Sequence, residues 1–222
     1  MIITTQTGID AIVPAFNEES TIADVVSVLC RSPSYRRVIV VDDGSTDSTA
    51  NNAALAGAYV LRLKKNLGKG GAMREAFRYT TTDPVAFFDA DLIGFQLHHA
   101  ELLALHARSG FDMVVGIRDY GLLRNALQSI GPLISGERII RRWILDKMPT
   151  DCWSGYAVET GINFSCSRSG GRTVLVPMKG VSIRFKTDKF GLLSGLVKEY
   201  KMFSRIYQTE NMLRRCGKCS ST

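Results

Sequence analysis

Long apolar runs are missing from this sequence, and their absence is the first constraint on its class. No segment offers the roughly 20 consecutive apolar residues that a helix needs to cross a bilayer. The opening residues lack the basic segment and the apolar core of a signal peptide. The sequence therefore predicts a cytoplasmic protein rather than an integral membrane protein or a secreted one.

Metal-binding patterns built from cysteine and histidine are also missing. The five cysteines include one C-x-x-C pair, Cys216 and Cys219, without the second pair that a structural zinc site requires. The three histidines, His98, His99 and His106, fall in one segment whose spacing predicts a solvated helix face. Because no H-E-x-x-H motif occurs, none of the three is predicted to bind a metal.

Acidic residues are fewer than basic ones, and the imbalance indicates an anionic partner. The chain carries 28 Lys and Arg against 21 Asp and Glu, a net charge of +7. Such a charge suits a nucleotide, a phosphate or an acidic lipid. The basic residues are dispersed, with no aromatic-studded basic stripe, so nucleic acid is not an expected partner.

An alternation of strands and helices runs through the first half of the chain and predicts an α/β fold with a mostly parallel sheet. Strands are predicted near 9–13, 38–41, 58–63, 85–88 and 111–117, with helices near 20–31, 47–57, 71–80 and 96–109. Later segments are predicted as a basic helical stretch at 119–147, a helix ending near 169, strands at 172–176 and 180–185, and a helix at 190–215. No linker interrupts the pattern, so a single domain over 1–222 is expected.

Two carboxylates, Asp89 and Asp91, follow the buried apolar run Val85–Phe88. In open α/β sheets, ligands bind beyond the carboxyl ends of the strands. Two neighbouring carboxylates repel each other unless a cation lies between them, and a divalent ion that also binds a diphosphate would fill that role. The alternative is an ordinary polar turn after a strand.

Three further loops follow predicted strands and carry polar groups. Asn17 and Glu18 come after the first strand, and Asp42 and Asp43 after the second. Glycines and lysines at 64–71 precede a helix and suit phosphate, although the Walker pattern is absent. Plain strand–helix connections and a solvated loop are the alternatives.

The motifs IVPAFNEE, VVDDGSTD, NLGKGGAMREAF, FFDADL, SGERIIRR and GYAVETGIN occur in this order. The ordered set resembles the nucleotide-sugar glycosyltransferases of the GT-A fold, family 2, related to dolichyl-phosphate mannose synthase and glucosyl-3-phosphoglycerate synthase. The resemblance implies a Rossmann-like, mostly parallel sheet flanked by helices in a single GT-A domain. Its nucleotide-sugar half would span about 8–117 and its acceptor half about 118–215.

The resemblance also implies roles for individual residues. The implied donor-binding residues are Pro14, Ala15, Asn17, Glu18, Asp43, Gly68, Lys69 and Asp89. Asp91, together with Asp89 in the DXD motif, would hold Mg²⁺ or Mn²⁺, and Glu159 would lie near the transferred sugar, where it is the candidate base. The implied acceptor-binding residues are Arg118, Ser135, Gly136, Glu137 and Arg138.

The expected activity is metal-assisted transfer of a hexose from a UDP- or GDP-sugar to a phosphorylated lipid or a small anionic acceptor. Two alternatives remain open. A nucleotide-sugar-binding protein with little or no turnover is suggested because related enzymes carry a metal-binding histidine near Ile183, and no histidine follows His106 here. A sugar nucleotidyltransferase is the other, although residues 14–20 contain no Gly, Lys or Arg.

The predicted helix at 190–215 carries apolar and basic residues together. It either packs on the domain or contacts a membrane surface as a peripheral element. A homodimer is a further expectation.

Overall fold

The computed structural model describes residues 8–118, 135–154 and 157–183, together with Thr209. Its strands are β1 (Ile9–Ala15), β2 (Tyr35–Asp42), β3 (Tyr59–Arg62), β4 (Val85–Phe87), β5 (Leu92–Ile93), β6 (Met113–Arg118), β7 (Arg138–Ile140), β8 (Thr173–Met178) and β9 (Ser182–Ile183). Its helices are α1 (Ile22–Arg31), α2 (Thr49–Leu55), α3 (Gly68–Phe77), α4 (Leu97–Arg108), α5 (Arg142–Asp146) and α6 (Ala157–Arg168), with a 3-10 helix at Thr150–Trp153.

Within the described residues, seven strands form one sheet in the order β3-β2-β1-β4-β7-β6-β8. Neighbouring strands pair in parallel, except that β7 runs antiparallel to both β4 and β6. The carboxyl ends of β1, β2, β4 and β6 therefore meet the amino end of β7 at one edge of the sheet. We call this edge the carboxyl edge; it is where an α/β sheet binds ligands.

Alternating side chains along the central strands build two cores, one on each face of the sheet. On β1, Ala11 and Val13 pack with α1, α2 and α4, whereas Ile12 packs on the opposite face with α3, α5 and α6. Both faces are covered, which explains why these strands read as continuous apolar runs rather than as alternating ones. The two cores hold the carboxyl edge between helical layers.

The structure corrects three local predictions. Residues 138–140 form strand β7, not part of a helix, since Ile139 and Ile140 are buried between β4 and β6. A short apolar run does not distinguish a buried strand from a buried helix, so tertiary context decided the outcome. The strand predicted at 180–185 is present at Ser182–Ile183, but it pairs with β5 outside the main sheet.

The third correction concerns His99, which was predicted on a solvated face. It is 4% exposed, and its Nδ1 accepts a hydrogen bond from the Gln96 N–H while Nε2 contacts the Lys179 carbonyl oxygen. The imidazole thus closes the first turn of α4 and joins it to the turn before β9.

No helix in the part of the chain that the structure describes is long and apolar enough to cross a membrane. The predicted helix at 190–215, the Cys216–Cys219 pair and most of the helical stretch predicted at 119–147 lie outside the described residues.

Candidate functional site at the carboxyl edge

The loops after β1 and β2 are joined by hydrogen bonds at the carboxyl edge. Asn17 adopts a left-handed backbone with φ 55°, and its N–H donates to the Ser45 hydroxyl at 2.9 Å. Its side-chain oxygen accepts from the Thr46 N–H at 2.9 Å. The Glu18 N–H donates to the Thr49 hydroxyl at 2.7 Å. The first predicted donor loop, with Pro14 and Ala15 at the end of β1, is therefore held in one shape by the second.

Asp43 connects the end of β2 to the start of α3. Its carboxylate accepts from the Leu67 and Gly68 N–H groups at 2.7 and 2.9 Å, and its own N–H donates to the Ala15 carbonyl at 2.9 Å. Burial raises the pKa of the Asp43 carboxyl, although the two N–H donors oppose that rise. The carboxylate satisfies orphan donors at the helix N-terminus and retains acceptor capacity for a ligand.

Lys69, one residue into α3, lies at the centre of the edge. Its ammonium is 2.6 Å from Asp89 Oδ1 and 2.6 Å from Glu159 Oε1. The side chains of Lys69 and Asp89 are 20% and 18% exposed, so both border solvent, whereas that of Glu159 is 5% exposed. We call Lys69, Asp89 and Glu159 the central triad; it joins α3, the end of β4 and α6.

Neighbouring charges set the pKa values of Lys69 and Asp89. Burial alone would lower the pKa of the Lys69 ammonium, yet Asp89 and Glu159 raise it above its ordinary value. Burial alone would raise the pKa of the Asp89 carboxyl, but Lys69 and Arg118 outweigh burial and hold that pKa well below its usual range. Lys69 and Asp89 therefore stay charged at neutral pH, as a site for an anionic ligand requires.

A second layer of charge lies behind Asp89. Arg118, at the end of β6, donates from Nη2 to Asp89 Oδ2 at 2.8 Å and from Nε to Glu137 Oε2 at 2.7 Å. The Ser135 hydroxyl lies 2.7 Å from the same Glu137 oxygen and 2.5 Å from the Gly116 carbonyl oxygen. Burial raises the pKa of the Glu137 carboxyl, against the opposing effect of Arg118.

Arg138 ties β7 to α6 in the interior. It is 1% exposed, and its guanidinium donates to the Ser135 carbonyl and to the side-chain oxygen of Asn163, both at 2.6 Å. Asn163 lies four residues after Glu159, on the same side of α6. The arginine therefore fixes the helix that presents Glu159. Asn163 was missed by sequence reasoning, although its i+4 spacing from Glu159 is a usable signal.

Gly136 packs directly against Asp89. A Cβ at this position would fall 2.1 Å from Oδ1 and 2.3 Å from Cγ of the Asp89 carboxylate, far inside contact distance. Only a residue without a side chain lets the segment before β7 approach the segment after β4 so closely. A steric restriction thus explains why the SGERIIRR motif has glycine at position 136.

Asp91 is the remaining carboxylate of the DXD motif, half-buried at the start of β5. Both oxygens of Asp89 already accept from Lys69 and Arg118. Among the described residues, no group of three or more His, Cys, Asp or Glu side chains could hold a metal. The donor set therefore does not form an all-protein cage. It fits a divalent ion bound by one carboxylate and by substrate phosphates, which is the usual way Mg²⁺ is held.

Further predicted site residues lie at or behind the carboxyl edge. Gly68 begins α3 beside Asp43, and the acceptor-side residues Arg118, Ser135, Gly136, Glu137 and Arg138 all lie behind Asp89. Those five are buried. Gly155 and Tyr156 of the GYAVE motif lie outside the described residues.

Comparison with known proteins assigns this arrangement to a family. The model of the family described as "Glycosyl transferase family 2" matches residues 10–160, which include every residue of the central triad. The chain belongs to this family. The match confirms the resemblance found in the motifs.

Curated relatives match parts of this chain. Glycosyltransferase AglJ of Haloferax volcanii is 31% identical over 186 residues, which are 74% of this chain and 60% of AglJ. Glucosyl-3-phosphoglycerate synthase of Mycolicibacterium smegmatis is 36% identical over 94 residues, which are 38% of this chain and 31% of the synthase. The chain thus spans less than two thirds of either relative.

Solved structures give a longer match. The crystal structure of glucosyl-3-phosphoglycerate synthase from Mycobacterium tuberculosis, in complex with Mn²⁺, UDP and glucosyl-3-phosphoglycerate, has a TM-score of 0.76 and 26% sequence identity. The match covers 95% of this chain and 80% of that one. It confirms the predicted α/β fold of the GT-A type.

Proposed function

We propose that the chain transfers a sugar from a UDP-sugar to a small anionic acceptor that presents a hydroxyl group, with Mg²⁺ or Mn²⁺ at the diphosphate. The observation that carries the proposal is the central triad. One ammonium and two carboxylates from three elements meet within hydrogen-bond distance at the edge where this fold binds ligands. Similar structures hold UDP with Mn²⁺ or with Mg²⁺, which supports UDP over GDP.

The donor would occupy the half formed by residues 8–117. The β1 and β2 loops with Asn17 and Asp43 would hold the base and ribose, and Gly68 and Lys69 would meet the diphosphate. When the glycosidic bond breaks, negative charge grows on the leaving diphosphate. A lysine already fixed in place stabilises that charge with little reorganisation.

Asp91 would hold the metal together with the donor diphosphate. When bound, such an ion neutralises charge on the phosphate oxygens. Asp89 would instead contact the sugar or ribose, because Lys69 and Arg118 fix its carboxylate and offset its charge while each oxygen keeps a lone pair for a hydroxyl donor. A second, metal-binding role for Asp89 stays a prediction.

Glu159 would face the acceptor. Its Oε1 accepts from Lys69, while its Oε2 is buried and has no hydrogen-bond partner among the described residues. A buried acceptor atom without a partner is costly, and the hydroxyl of an acceptor substrate would satisfy it once substrate binding exposes this oxygen. The same oxygen could take the hydroxyl proton as general base.

The acceptor side would lie in the half after residue 118. Phosphoglyceric acid is bound by the similar synthase of Mycobacterium tuberculosis, so a small phosphorylated carboxylic acid is the acceptor we favour. Because Ser135, Gly136, Glu137 and Arg138 are buried, we infer that this segment supports the site from behind Asp89. Direct acceptor contact by these residues and Arg118 remains a prediction.

The predicted cytoplasmic location, the peripheral membrane contact through residues 190–215 and the homodimer remain predictions. A phosphorylated lipid is the corresponding alternative acceptor.

A UDP-release assay tests the proposal. The protein is incubated with UDP-glucose and Mn²⁺, with and without 3-phosphoglycerate, and free UDP is measured. GDP-mannose, for which free GDP is measured, and a short-chain lipid phosphate serve as comparison substrates. We expect UDP release that 3-phosphoglycerate stimulates and that Lys69→Met abolishes, while Lys179→Met, at an exposed lysine outside the triad, behaves as wild type. Nucleotide binding without release from either donor, under all acceptors, would favour the binding-protein alternative instead.

A further inference from the structure

Arg118 holds two carboxylates at once, and only one of them borders solvent. The guanidinium reaches Asp89 Oδ2 from Nη2 at 2.8 Å and Glu137 Oε2 from Nε at 2.7 Å. The Asp89 side chain is 18% exposed, whereas that of Glu137 is fully buried. A ligand can therefore meet Asp89 but cannot meet Glu137 in this arrangement.

Glu137 is itself fixed in place. Its Oε2 also lies 2.7 Å from the Ser135 hydroxyl, and its main chain is tied to β6 through a 2.8 Å bond from the Gly116 N–H to the Glu137 carbonyl. Its Oε1 has no partner among the described residues. Among the described residues, Glu137 Oε2 thus makes both side-chain contacts of this carboxylate, and one of them is to Arg118 Nε.

The planar guanidinium transmits that orientation. A side chain with two donors in a rigid fork cannot rotate one donor without moving the other. With Nε fixed by Glu137, Nη2 is aimed at Asp89 Oδ2, while Lys69 holds Oδ1 from the opposite side at 2.6 Å. A freely rotating carboxylate would not keep both contacts.

We propose that Glu137 is a positioning residue: it orients Arg118, which in turn fixes the Asp89 carboxylate for the sugar of the donor. The inference rests on the proposed function for the identity of the ligand, but the orientation itself can be tested without any ligand. Hydrogen-bond partners behind metal-binding side chains commonly account for about ten- to a hundredfold in affinity or activity, and we expect an effect of similar size here.

Two substitutions at position 137 separate geometry from charge. Glu137→Met removes the acceptor for Arg118 Nε at similar length, whereas Glu137→Gln keeps one acceptor oxygen and removes only the charge. We expect Glu137→Met to lower kcat/KM in the UDP-release assay about tenfold or more, to weaken UDP-glucose binding and to leave UDP binding unchanged. Glu137→Gln should recover most of the loss. Equal losses in both variants would contradict positioning and indicate a role of charge alone.

Glu101→Met is the matched control for Glu137→Met. Glu101 also accepts hydrogen bonds from two side chains, the hydroxyls of Ser32 and Ser34, but these contacts join α4 to the segment between α1 and β2. It should leave the preference for UDP-glucose over UDP as in wild type. A change equal to that of Glu137→Met would show that the effect is general destabilisation, and would overturn the proposal.

A combination with Arg118→Lys tests whether Glu137 acts through Arg118. Lysine keeps the charge but lacks the fork, so Arg118→Lys should by itself lower donor discrimination, and adding Glu137→Met should cost little more. Additive losses would contradict a shared route.

Crystal structures of the Glu137→Met and Glu137→Gln variants supply the readout that needs no donor. In Glu137→Met we expect the contact from Arg118 Nη2 to Asp89 Oδ2 to be lost and the carboxylate to be rotated; in Glu137→Gln the contact should persist. An unchanged 2.8 Å contact in Glu137→Met would refute the positioning role whatever the donor does. If wild type binds neither UDP nor UDP-glucose, the proposed function fails, and the crystallographic comparison still decides the positioning role. Should Glu137→Met fail to fold, the same comparison is made in Arg118→Lys, where a retained rotamer of Asp89 would be the contradicting result.

Discussion

Gly136→Ala is the substitution that perturbs the site most locally. The new Cβ would lie 2.1 Å from Asp89 Oδ1 and 2.4 Å from Oδ2, whereas real Cβ contacts essentially never fall below 3.0 Å. Asp89 or the segment before β7 must therefore move by about 1 Å. The Asp89 contacts to Lys69 and Arg118, at 2.6 and 2.8 Å, cannot both survive such a shift.

The expected cost follows from the geometry. A misplacement of about 1 Å in a catalytic group can reduce the rate about a hundredfold, which corresponds to about 2.7 kcal/mol of transition-state stabilisation. We therefore expect kcat/KM for UDP release to fall about a hundredfold, with UDP binding largely retained because the predicted nucleotide loops are separate from Gly136.

Gly170→Ala is the control for the general cost of replacing a glycine. Gly170 has φ +70°, and nothing lies within 4 Å of a Cβ placed there. Its substitution should strain the backbone by about 1 kcal/mol, visible in thermal unfolding, and leave UDP release unchanged. Wild-type kcat/KM in folded Gly136→Ala would refute the reasoning that the Asp89 position matters for the reaction.

Three further predictions concern stability. Lys69→Met leaves two mostly buried carboxylates without their shared cation, so the free energy of unfolding at pH 7 should fall by roughly 3 kcal/mol. The loss, measured in urea titrations, should be smaller in acid; an equal loss at both pH values would contradict the charge pairing within the central triad. The pKa of Asp89 is lower in the folded protein than in the unfolded chain. Its contribution to the free energy of unfolding is therefore present above the unfolded pKa of about 3.9 and is lost as pH falls through the folded pKa. Asp89→Asn should remove this part of the acid dependence of stability, and an unchanged dependence in the variant would contradict the lowered pKa. Gly70→Ala would place a Cβ 2.7 Å from the carbonyl carbon of Trp153, so the overpacking of α3 on the 3-10 helix should cost about 1–3 kcal/mol in thermal unfolding, and a neutral effect would show that the two elements separate easily.

The fold was predictable where the pattern was regular. Strands β1 to β4 and β6, and helices α1 to α4, were predicted close to their observed bounds, because buried parallel strands and the helices between them leave clear apolar signals. The two-residue strand β5 was not predicted. Strand β7 was not predictable locally. Its three residues are held extended by pairing with β4 and β6. Strand β4 lies about 50 residues earlier in the chain, so the local sequence does not show this pairing.

The candidate site, too, could be predicted from the sequence only in part. The ordered motifs identified Lys69, Asp89 and Glu159 separately, but no sequence spacing shows that one ammonium contacts both carboxylates. The sequence also suggested acceptor contact for Glu137 and Arg138, whereas the structure buries both. Glu137 contacts Arg118 at the end of β6, and Arg138 contacts Asn163 in α6. Such contacts between distant segments cannot be derived from the local sequence pattern.

The central claim is that the carboxyl edge binds a nucleoside-diphosphate sugar through a metal held by Asp91. The most direct measurement is the thermal unfolding midpoint of wild type and Asp91→Ala with UDP, UDP-glucose or neither, each with and without Mn²⁺, since a ligand of the native state raises its stability. Wild type should be stabilised by UDP-glucose, more so with Mn²⁺, and Asp91→Ala should lose the Mn²⁺-dependent part. No stabilisation of wild type by either nucleotide, or a full Mn²⁺ effect in Asp91→Ala, would contradict the claim.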